Sequence, residues 1–332
     1  TKTYESLSTH YTYDGRITTV TKPDGKTETS EVNALGLAFK NSDELGTVFY
    51  TYNSAGQVTN IQSGQSNTQF EYDPMYNWRT KTISPDLGEI NFVYYATGEL
   101  YRQTDALGNQ LEYSYDVLGR VNEIKKFHAE TNTTETITYS YNSTGNGVGQ
   151  IDNVISTSGI TQNYSYDQYG RLLSSQENIQ GKSYSSSVEY NDNGQVKSQT
   201  YPYGYEVENE YNPKGFLTKI KQASDGQMIW QVVSENALGQ RTQSLMGNGA
   251  SLNLTYDPVY NTLGSIEYSM QNNAIWHQQY SFNAANGNLN WRSDLIRGMT
   301  EDFTYGLGDR LELVEINNGL QLNMKTVSYE TN

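Results

Sequence analysis

Several residue types that mark particular protein classes are absent or scarce in this 332-residue chain. It has no cysteine, which excludes disulfide frameworks, thiolate catalysis and thiolate metal sites. No apolar run approaches the roughly 18 residues of a membrane-spanning helix, and no basic segment followed by an apolar one forms a signal peptide. We therefore expect no membrane insertion.

Positive charge is scarce as well. Lysine and arginine total 22 against 37 acidic residues, so the formal net charge is −15. Nucleic-acid binding needs clustered basic side chains that neutralise phosphates, and this balance argues against a nucleic-acid partner. An acidic chain without cysteine fits a bacterial protein that is secreted or displayed at the cell surface, and we expect that location.

Tyrosine and glycine are abundant, with 29 residues of each. Aromatic residues reach 12% and charged residues only 18%. Because disordered chains have few aromatic and many charged residues, this composition predicts an ordered protein whose apolar surface comes largely from tyrosine.

A motif recurs along the chain: Tyr-x-Tyr-Asp/Asn, two residues, Gly, a polar residue and an aliphatic residue. Its fifteen anchor positions, each preceding the Asp/Asn-like residue, are separated by 19–26 residues. The period continues without a linker, which predicts one continuous array over residues 1–332, about 14 copies, rather than two domains. The motif residues include Tyr52, Asn53 and Gly56; Tyr72 and Asp73; Tyr115, Asp116, Gly119 and Arg120; Tyr166, Asp167, Gly170 and Arg171; Tyr190, Asn191 and Gly194; and Tyr256 and Asp257.

Each copy predicts a strand, a tight turn and a second strand. Two tyrosines two residues apart share one face of a strand. Asp or Asn suits the first position of a type I turn, where its side chain accepts a backbone N–H group. The glycine three residues later suits the left-handed conformation, and we expect it at Gly119, Gly170 and Gly194. The chain should therefore be almost wholly antiparallel β, with helix close to absent.

A single hairpin cannot bury a core, so neighbouring hairpins must pair edge to edge in a long, twisted antiparallel sheet. Identical positions then fall in register, and we expect the tyrosines to form ladders across the strands. The terminal hairpins would present unpaired backbone groups, which predicts frayed terminal strands or self-association at high concentration.

The motif Tyr-x-Tyr-Asp-x-x-Gly-Arg-Leu/Val, with the intervening Asp105-Ala-Leu-Gly108-Asn109-x-x-x-Tyr113, resembles the Rhs, or YD-repeat, family. The resemblance covers nearly the whole chain. It implies an all-β repeat array of antiparallel hairpins in a curved, spiralling YD-repeat sheet, part of a hollow shell. In bacterial members such a shell encloses a C-terminal toxic domain. Other members are wall-associated or belong to insecticidal toxin complexes, and teneurins are animal relatives.

The chain departs from the family pattern at its end. Family arrays usually finish in a core motif with an Asp-Pro-x-Gly element, where autoproteolysis releases the toxin. Here Asp73-Pro74 and Asp257-Pro258 lie in ordinary repeats, and no separate domain follows Leu311. We therefore expect a fragment of a much larger protein, whose partners are its own toxin cargo and neighbouring repeats.

The sequence offers no catalytic or metal-binding signature. Its three histidines share no local spacing, and no Gly-x-Ser-x-Gly motif is present. The segment from Gly145 to Gly149 lacks the ending of a phosphate loop, so we interpret it as an enlarged repeat turn. The motif acids are interpreted as turn caps rather than calcium ligands. The arginines at positions 120, 171 and 310 are interpreted as partners of a neighbouring repeat's acid or of a tyrosine ring.

Two functions follow as hypotheses. The leading one is a non-enzymatic structural segment of an Rhs shell, with no cofactor and no metal. The alternative is a cell-surface adhesion module that binds carbohydrate or protein through exposed aromatic rings, since such rings stack on sugars. The candidate binding residues are Trp78, Trp230, Trp276 and Trp291.

Overall fold

The computed structural model describes residues 7–319 and 321–329. Within them the chain forms 29 β-strands and two short 3-10 turns, at Pro202–Gly204 and Leu307–Asp309, and no α-helix. The prediction of an all-β hairpin array is therefore confirmed. No helix in this described part is long and apolar enough to cross a membrane.

The strands follow one another with short connections. The first fifteen are β1 His10–Asp14, β2 Ile17–Thr21, β3 Thr27–Val32, β4 Ala38–Asp43, β5 Gly46–Tyr52, β6 Val58–Ser63, β7 Ser66–Tyr72, β8 Arg79–Ser84, β9 Gly88–Tyr94, β10 Leu100–Thr104, β11 Gln110–Tyr115, β12 Val121–His128, β13 Thr133–Tyr141, β14 Ile151–Ser156 and β15 Ile160–Tyr166. The others are β16 Leu172–Ile179, β17 Lys182–Tyr190, β18 Val196–Thr200, β19 Glu206–Tyr211, β20 Leu217–Gln222, β21 Met228–Glu235, β22 Arg241–Met246, β23 Ala250–Tyr256, β24 Leu263–Met270, β25 Asn273–Phe282, β26 Leu289–Asp294, β27 Met299–Tyr305, β28 Leu311–Asn317 and β29 Leu322–Thr326.

These strands fall into two compact units. Unit 1 is drawn from the chain up to Asn67 and from Met228 onward, and unit 2 runs from Thr68 to Gln227. Within each unit, consecutive strands pair antiparallel, for example β4 with β5 in unit 1 and β11 with β12 in unit 2. The hairpin is therefore the repeating element of both units.

The register shifts by one residue at the tyrosine turns. In the β11–β12 hairpin, Tyr113 faces Ile124, but Tyr115 faces Val121. The same shift places Tyr166 opposite Leu172 in the β15–β16 hairpin. The extra residue is the β-bulge that accompanies a type I turn closed by a left-handed glycine.

The predicted tyrosine ladders across adjacent strands are wrong. The motif tyrosines occupy the first strand of each hairpin, and a non-aromatic residue of the return strand lies opposite, as Val58 does for Tyr52 and Arg79 for Tyr72. Among the strand pairs described within the two units, only Tyr268 and Trp276 place two aromatic residues directly opposite each other. The prediction failed because a return strand separates the tyrosines of successive copies.

The sheet has almost no core of its own. Most strand residues are only half-buried, in β11 on both faces of the strand. Seven residues of the described part are buried, and most are small or polar: Ser156, Ser198, Val207, Ser244, Ala250, Ser269 and Asp294. A domain normally buries its sheet against a second layer, and within the described residues that layer is missing.

Candidate functional site

The repeated turn is closed by its first residue. In the Asp116 copy, Oδ1 of Asp116 accepts the N–H groups of Leu118 at 2.9 Å and Arg120 at 3.0 Å. The Gly119 N–H donates to the Asp116 carbonyl at 3.0 Å. The acid is thus a turn cap, as the sequence predicts. The same two side-chain bonds are accepted in other copies by Asn53, Asp167 and Asn191.

The glycine of the turn takes the left-handed conformation. Its φ is 79° at Gly56, 77° at Gly119, 76° at Gly170 and 80° at Gly194. The prediction for Gly119, Gly170 and Gly194 is therefore confirmed. No other residue adopts this conformation at comparably low cost, because a Cβ collides with the neighbouring carbonyl.

Two copies with proline after the acid use a longer turn. Oδ1 of Asp73 accepts two backbone N–H groups, both at 2.8 Å. Asn77, at φ 59°, takes the left-handed position that glycine holds elsewhere. The Asp257 copy is built alike, with Asn261 at φ 57°. Asparagine tolerates this conformation better than most residues, so both Asp-Pro pairs are turn elements.

The arginine after the glycine joins its own turn to the next copy. Nε of Arg120 donates to Oδ2 of Asp116 at 2.7 Å, and Nη1 donates to the Gly149 carbonyl at 3.3 Å. The guanidinium lies 4.1 Å from the ring centre of Tyr141, in the following hairpin. Arg171 stacks on the tyrosine of its following hairpin at the same distance. One side chain therefore binds an acid, a carbonyl and a ring.

The acid that these arginines bind is not the one predicted. It belongs to their own turn, not to a neighbouring repeat. The turn closes with the Asp116 N–H donating to the Arg120 carbonyl at 2.8 Å, which brings the two side chains to the same side. The predicted stacking on tyrosine is confirmed, also for Arg310, which lies 5.3 Å from the Tyr329 ring. The hydrogen bond from Arg120 holds the pKa of Asp116 below its usual value.

Three copies that begin with asparagine and carry glutamine after the glycine use an amide pair instead of an ion pair. The pairs, with Nδ2 donating to Oε1, are Asn53–Gln57 at 2.9 Å, Asn191–Gln195 at 3.0 Å and Asn236–Gln240 at 2.7 Å. Nε2 of Gln195 also donates to the Gly215 carbonyl of the next turn at 2.8 Å. Sequence reasoning missed these pairs, although the matching of Asp with Arg and of Asn with Gln across copies was a usable signal.

The second tyrosine of the motif ties each hairpin to the one before it. The Tyr115 hydroxyl donates to the Leu100 carbonyl, and the Tyr166 hydroxyl to the Ile151 carbonyl, both at 2.8 Å. Each carbonyl belongs to the first residue of the preceding return strand. Burial raises the pKa of Tyr115 and of Tyr166, so both hydroxyls keep their protons. Equivalent bonds are made by Tyr52, Tyr94, Tyr141, Tyr190, Tyr211, Tyr256 and Tyr329.

The segment from Gly145 to Gly149 is an enlarged repeat turn, as predicted. The Asn142 N–H donates to the Gln150 carbonyl at 2.9 Å, which closes the loop. A Cβ on Gly147 would lie 2.5 Å from the Tyr166 ring, so the loop packs on the next motif tyrosine. Gly147 therefore allows the loop to pack closely on that ring.

The candidate tryptophan of unit 2 packs against the sheet's own tyrosines. Trp78 stacks on Tyr76 with ring centres 4.5 Å apart and lies 5.4 Å from the Tyr94 ring. A Cβ on Gly98 would lie 3.2 Å from the indole. Its indole is therefore engaged within the repeat, in keeping with a packing role.

The candidate tryptophans of unit 1 lie on three strands. Trp230 in β21 lies beneath the Arg241 guanidinium at 5.5 Å. Trp276 in β25 is 37% exposed and faces Tyr268, and Trp291 in β26 is half-buried. Within unit 1, the described ring contacts join none of these three to another, so they form no shared aromatic platform.

An exposed aromatic turn in unit 2 escaped the sequence analysis. Tyr203, in the turn between β18 and β19, is 89% exposed and has a φ of 71°. Tyr201 and Tyr205 flank it with ring centres 6.4 Å apart, and the Tyr184 ring lies 6.1 Å from that of Tyr203. The stretch Tyr-Pro-Tyr-Gly-Tyr was the signal that could have revealed it.

The described residues contain no group of three or more His, Cys, Asp or Glu side chains placed to hold a metal ion. The acids of the motif instead cap turns. The site that recurs in this chain is therefore the turn with its tyrosine, acid, glycine and arginine or glutamine.

Comparison with known proteins places this repeat among Rhs repeats. Residues 94–127 match the family described as RHS Repeat. A stretch of 162 residues is 27% identical to Double-stranded DNA deaminase toxin A of Burkholderia cenocepacia, covering 48% of this chain and 10% of that protein. The matched segment around Tyr115 contains one full copy of the motif.

Solved structures share the fold at low sequence identity. The crystal structure of TcdB2-TccC3-Cdc42 superposes with a TM-score of 0.80 at 16% identity, over 92% of this chain and 18% of that one. The structure of TcdB2-TccC3 without hypervariable C-terminal region gives a TM-score of 0.77 at 14% identity, over 96% and 21% of the two chains. The chain thus spans about a fifth or less of the length of these relatives. The resemblance of its repeated Tyr-Asp turns to the Rhs, or YD-repeat, family is confirmed.

Proposed function

We propose that this chain is a non-enzymatic structural segment of a large, secreted bacterial Rhs protein. In this proposal residues 1–332 are one continuous array of about 14 repeats, and the array is part of a β-shell that scaffolds or encloses a C-terminal toxin of the same polypeptide. The segment needs no cofactor or metal for this role.

The observation that carries the proposal is the missing core. The chain exposes 21484 Å² of accessible surface. A compact monomer of 37.4 kDa would expose about 13,700 Å² by the usual scaling of area with mass. Sheets are stabilised by burying a face against another layer. Such an excess of half-buried sheet surface suits a wall that is covered by cargo or by further parts of the same protein.

The repeated turn also suits a wall. Its tyrosine and its arginine or glutamine each reach a carbonyl or a ring of an adjacent hairpin, so the bonds join neighbours along the array. Stability of this kind grows with the number of copies, as in other repeat proteins. In the proposed role, the motif side chains stabilise the array by joining adjacent hairpins through these bonds.

The relatives support the assignment of a toxin as cargo. One matched protein is named a deaminase toxin, and this chain covers only 10% of it. One matched structure is that of TcdB2-TccC3 without hypervariable C-terminal region, so in that assembly a variable region is distinguished from the rest. A repeat array that encloses a variable cargo accounts for both observations, the small share of the toxin that is matched and the separate variable region.

Limited proteolysis of the full-length gene product tests the proposal. With this segment intact, the C-terminal domain should resist protease, and with the segment deleted it should be cleaved. As a matched control, Asp116→Asn with Arg120→Gln recreates the amide pair of other copies and should keep the protection. Equal resistance after deletion would show that the segment does not enclose the cargo.

A second function is favoured by the exposed turn at Tyr203. A left-handed tyrosine is strained, and such outliers gather at functional sites. We propose that Tyr201, Tyr203 and Tyr205 bind cell-surface carbohydrate by stacking on sugar rings.

Glycan-array binding of Tyr203→Gly tests this second proposal. This change removes the ring and relieves the backbone strain, so it should abolish sugar binding while the fold is kept. Tyr169→Ala, which removes a tyrosine that is 73% exposed in another turn, is the control and should bind normally. Absence of glycan binding by the unaltered protein would contradict the proposal.

A further inference from the structure

One turn of the array exchanges the motif's aspartate and glycine. Most other copies place Asp or Asn at the first position and Gly at the fourth. The turn between β27 and β28 has Gly306 at the first position and Asp309 at the fourth. Asp309 therefore occupies the left-handed position, with φ 55°. Residues other than glycine rarely adopt this backbone conformation, so an interaction of Asp309 must compensate for its energetic cost.

That interaction is an ion-pair cluster with the first hairpins of unit 1. Oδ1 of Asp309 lies 2.7 Å from Nζ of Lys26, in the turn after β2, although the residues are 283 positions apart. Lys26 also lies 2.9 Å from Oε1 of Glu44, in the turn after β4. The same Glu44 oxygen accepts the Gly308 N–H at 2.5 Å. Two acids thus share one lysine, and one of them also holds the backbone of the docked turn.

Further polar contacts orient the Asp309 carboxylate. Nδ2 of Asn288 donates to its Oδ1 at 2.8 Å, and Nδ2 of Asn286 does so at 3.2 Å. The hydrogen bonds to Lys26 lower the pKa of Asp309 and of Glu44, and the two acids raise the pKa of Lys26. All three groups are therefore charged at neutral pH.

The shape of the contact also selects this turn. A Cβ on Gly308 would lie 2.6 Å from Cδ1 of Leu45, and Gly308 has a φ of 68°, so a larger residue at the third position would displace Leu45 and strain the backbone. Several other copies carry a bulky residue there, for example Leu118 or Tyr169. They also carry glycine at the fourth position, where no carboxylate could meet Lys26. An ordinary copy would therefore fit neither the charge nor the shape of these loops.

We propose that the turn from Gly306 to Arg310 is a docking turn, and that the loops 22–26 and 43–46 are its acceptor. The exchange of glycine and aspartate then determines which hairpin of the array packs edge-on against the N-terminal hairpins. The occupant of this surface is the β27–β28 hairpin of the same chain. The inference concerns only the edges of unit 1, and it holds whether or not a cargo is enclosed.

Hydrogen exchange measured by mass spectrometry tests this pairing. Lys26→Met should raise amide exchange around residue 308 about tenfold or more, because local opening of the docked turn becomes easier. Asp309→Gly should do the same, although it removes the strained backbone and restores the ordinary fourth residue. Lys81→Met is the matched control, since Lys81 pairs with Glu89 in its own hairpin, outside the proposed acceptor.

Exchanging the charges of Lys26 and Asp309 distinguishes the loss of their ion pair from a general loss of stability. Lys26→Asp combined with Asp309→Lys should restore protection that each single change removes. If Lys26→Met behaves like Lys81→Met, or if the exchange restores nothing, the proposal is wrong.

A crosslink provides a second measurement of whether the two loops lie next to each other. The chain has no cysteine, so Glu44→Cys with Asp309→Cys can be joined by a short thiol crosslinker. An intramolecular product is expected for this pair. Glu31→Cys with Asp309→Cys is the control, because Glu31 lies near the far end of β3. Equal yields from the two pairs would overturn the proposal.

Discussion

At the scale of single residues, the tyrosine and the acid of the motif have different targets. The tyrosine hydroxyl reaches the preceding hairpin, whereas the carboxylate or amide closes its own turn. The arginine connects both, because it binds the acid and stacks on the following tyrosine. Substitution of the tyrosine should therefore weaken the contact between hairpins, whereas substitution of the acid should weaken its own turn.

Tyr115→Phe should destabilise the protein by about 1 kcal/mol, the usual net contribution of one hydrogen bond. The change removes the bond to the Leu100 carbonyl and keeps the ring. Urea denaturation measures the loss. Tyr113→Phe is the matched control, since the Tyr113 hydroxyl makes no hydrogen bond among the described residues. Equal losses for the two variants would contradict the assigned role of the Tyr115 hydroxyl.

Acid should weaken the turn through Asp116. Its pKa is lowered in the folded protein, first by the hydrogen bond from Arg120. A lowered pKa means that the ionised group stabilises the fold fully above the pKa of the unfolded chain, about 3.9. This contribution is lost as pH falls through the lower folded-state value.

Comparison with the amide version of the turn measures that contribution. Asp116→Asn with Arg120→Gln reproduces the pair of Asn191 and Gln195. The wild-type protein should be the more stable at pH 7, and the difference should shrink as the pH falls below the unfolded-state pKa of about 3.9. Urea titrations at several pH values provide the measurement. A difference that does not change with pH would show that the ion pair contributes nothing.

At the scale of the element, the hairpin depends on its bulged turn. The left-handed glycine reverses the chain and shifts the register, so that the tyrosine faces an aliphatic residue of the return strand. The regular Asp/Asn-x-x-Gly turns were predictable from the sequence, because the bonds that close them join residues at most four positions apart. The prediction of tyrosine ladders was wrong, because a one-dimensional period does not say which strands become neighbours.

Gly119→Val should cost about 1–2 kcal/mol, the penalty for a Cβ in the left-handed conformation. Nothing lies within 4 Å of a Cβ at this position, so the loss reports backbone strain alone. Gly119→Asn should cost less, because Asn77 and Asn261 already adopt this conformation in longer turns. Thermal unfolding of the two variants measures the difference. If valine is tolerated as well as asparagine, the turn conformation is not what the glycine provides.

At the scale of the whole molecule, the terminal strands have one bonded neighbour each. Within unit 1, β1 pairs with β2 and β29 with β28, and both terminal strands are exposed along their length. Unpaired strand edges recruit other strands. Residues 1–6 and 330–332, to which the prediction of frayed ends extends, lie outside the described residues.

Self-association at high concentration therefore stays a prediction. Sedimentation velocity at increasing protein concentration should reveal dimers or larger species. A charged residue on an edge strand blocks such pairing, so Met324→Lys in β29 should reduce the association. A clean monomer at the highest concentration of the unaltered protein would contradict the prediction.

The hairpins, the turn caps and the left-handed glycines followed from the sequence alone, because they depend on contacts within a few residues and repeat with the period. The contacts that side chains make outside their own turn depend on the tertiary structure, because they require strands to be neighbours in the folded sheet. The carbonyl acceptors of the tyrosines lie 14–20 residues back in the chain. Lys26 meets Asp309 across 283 residues. Contacts of this kind depend on how the hairpins pack together, and the spacing of a motif does not predict that packing.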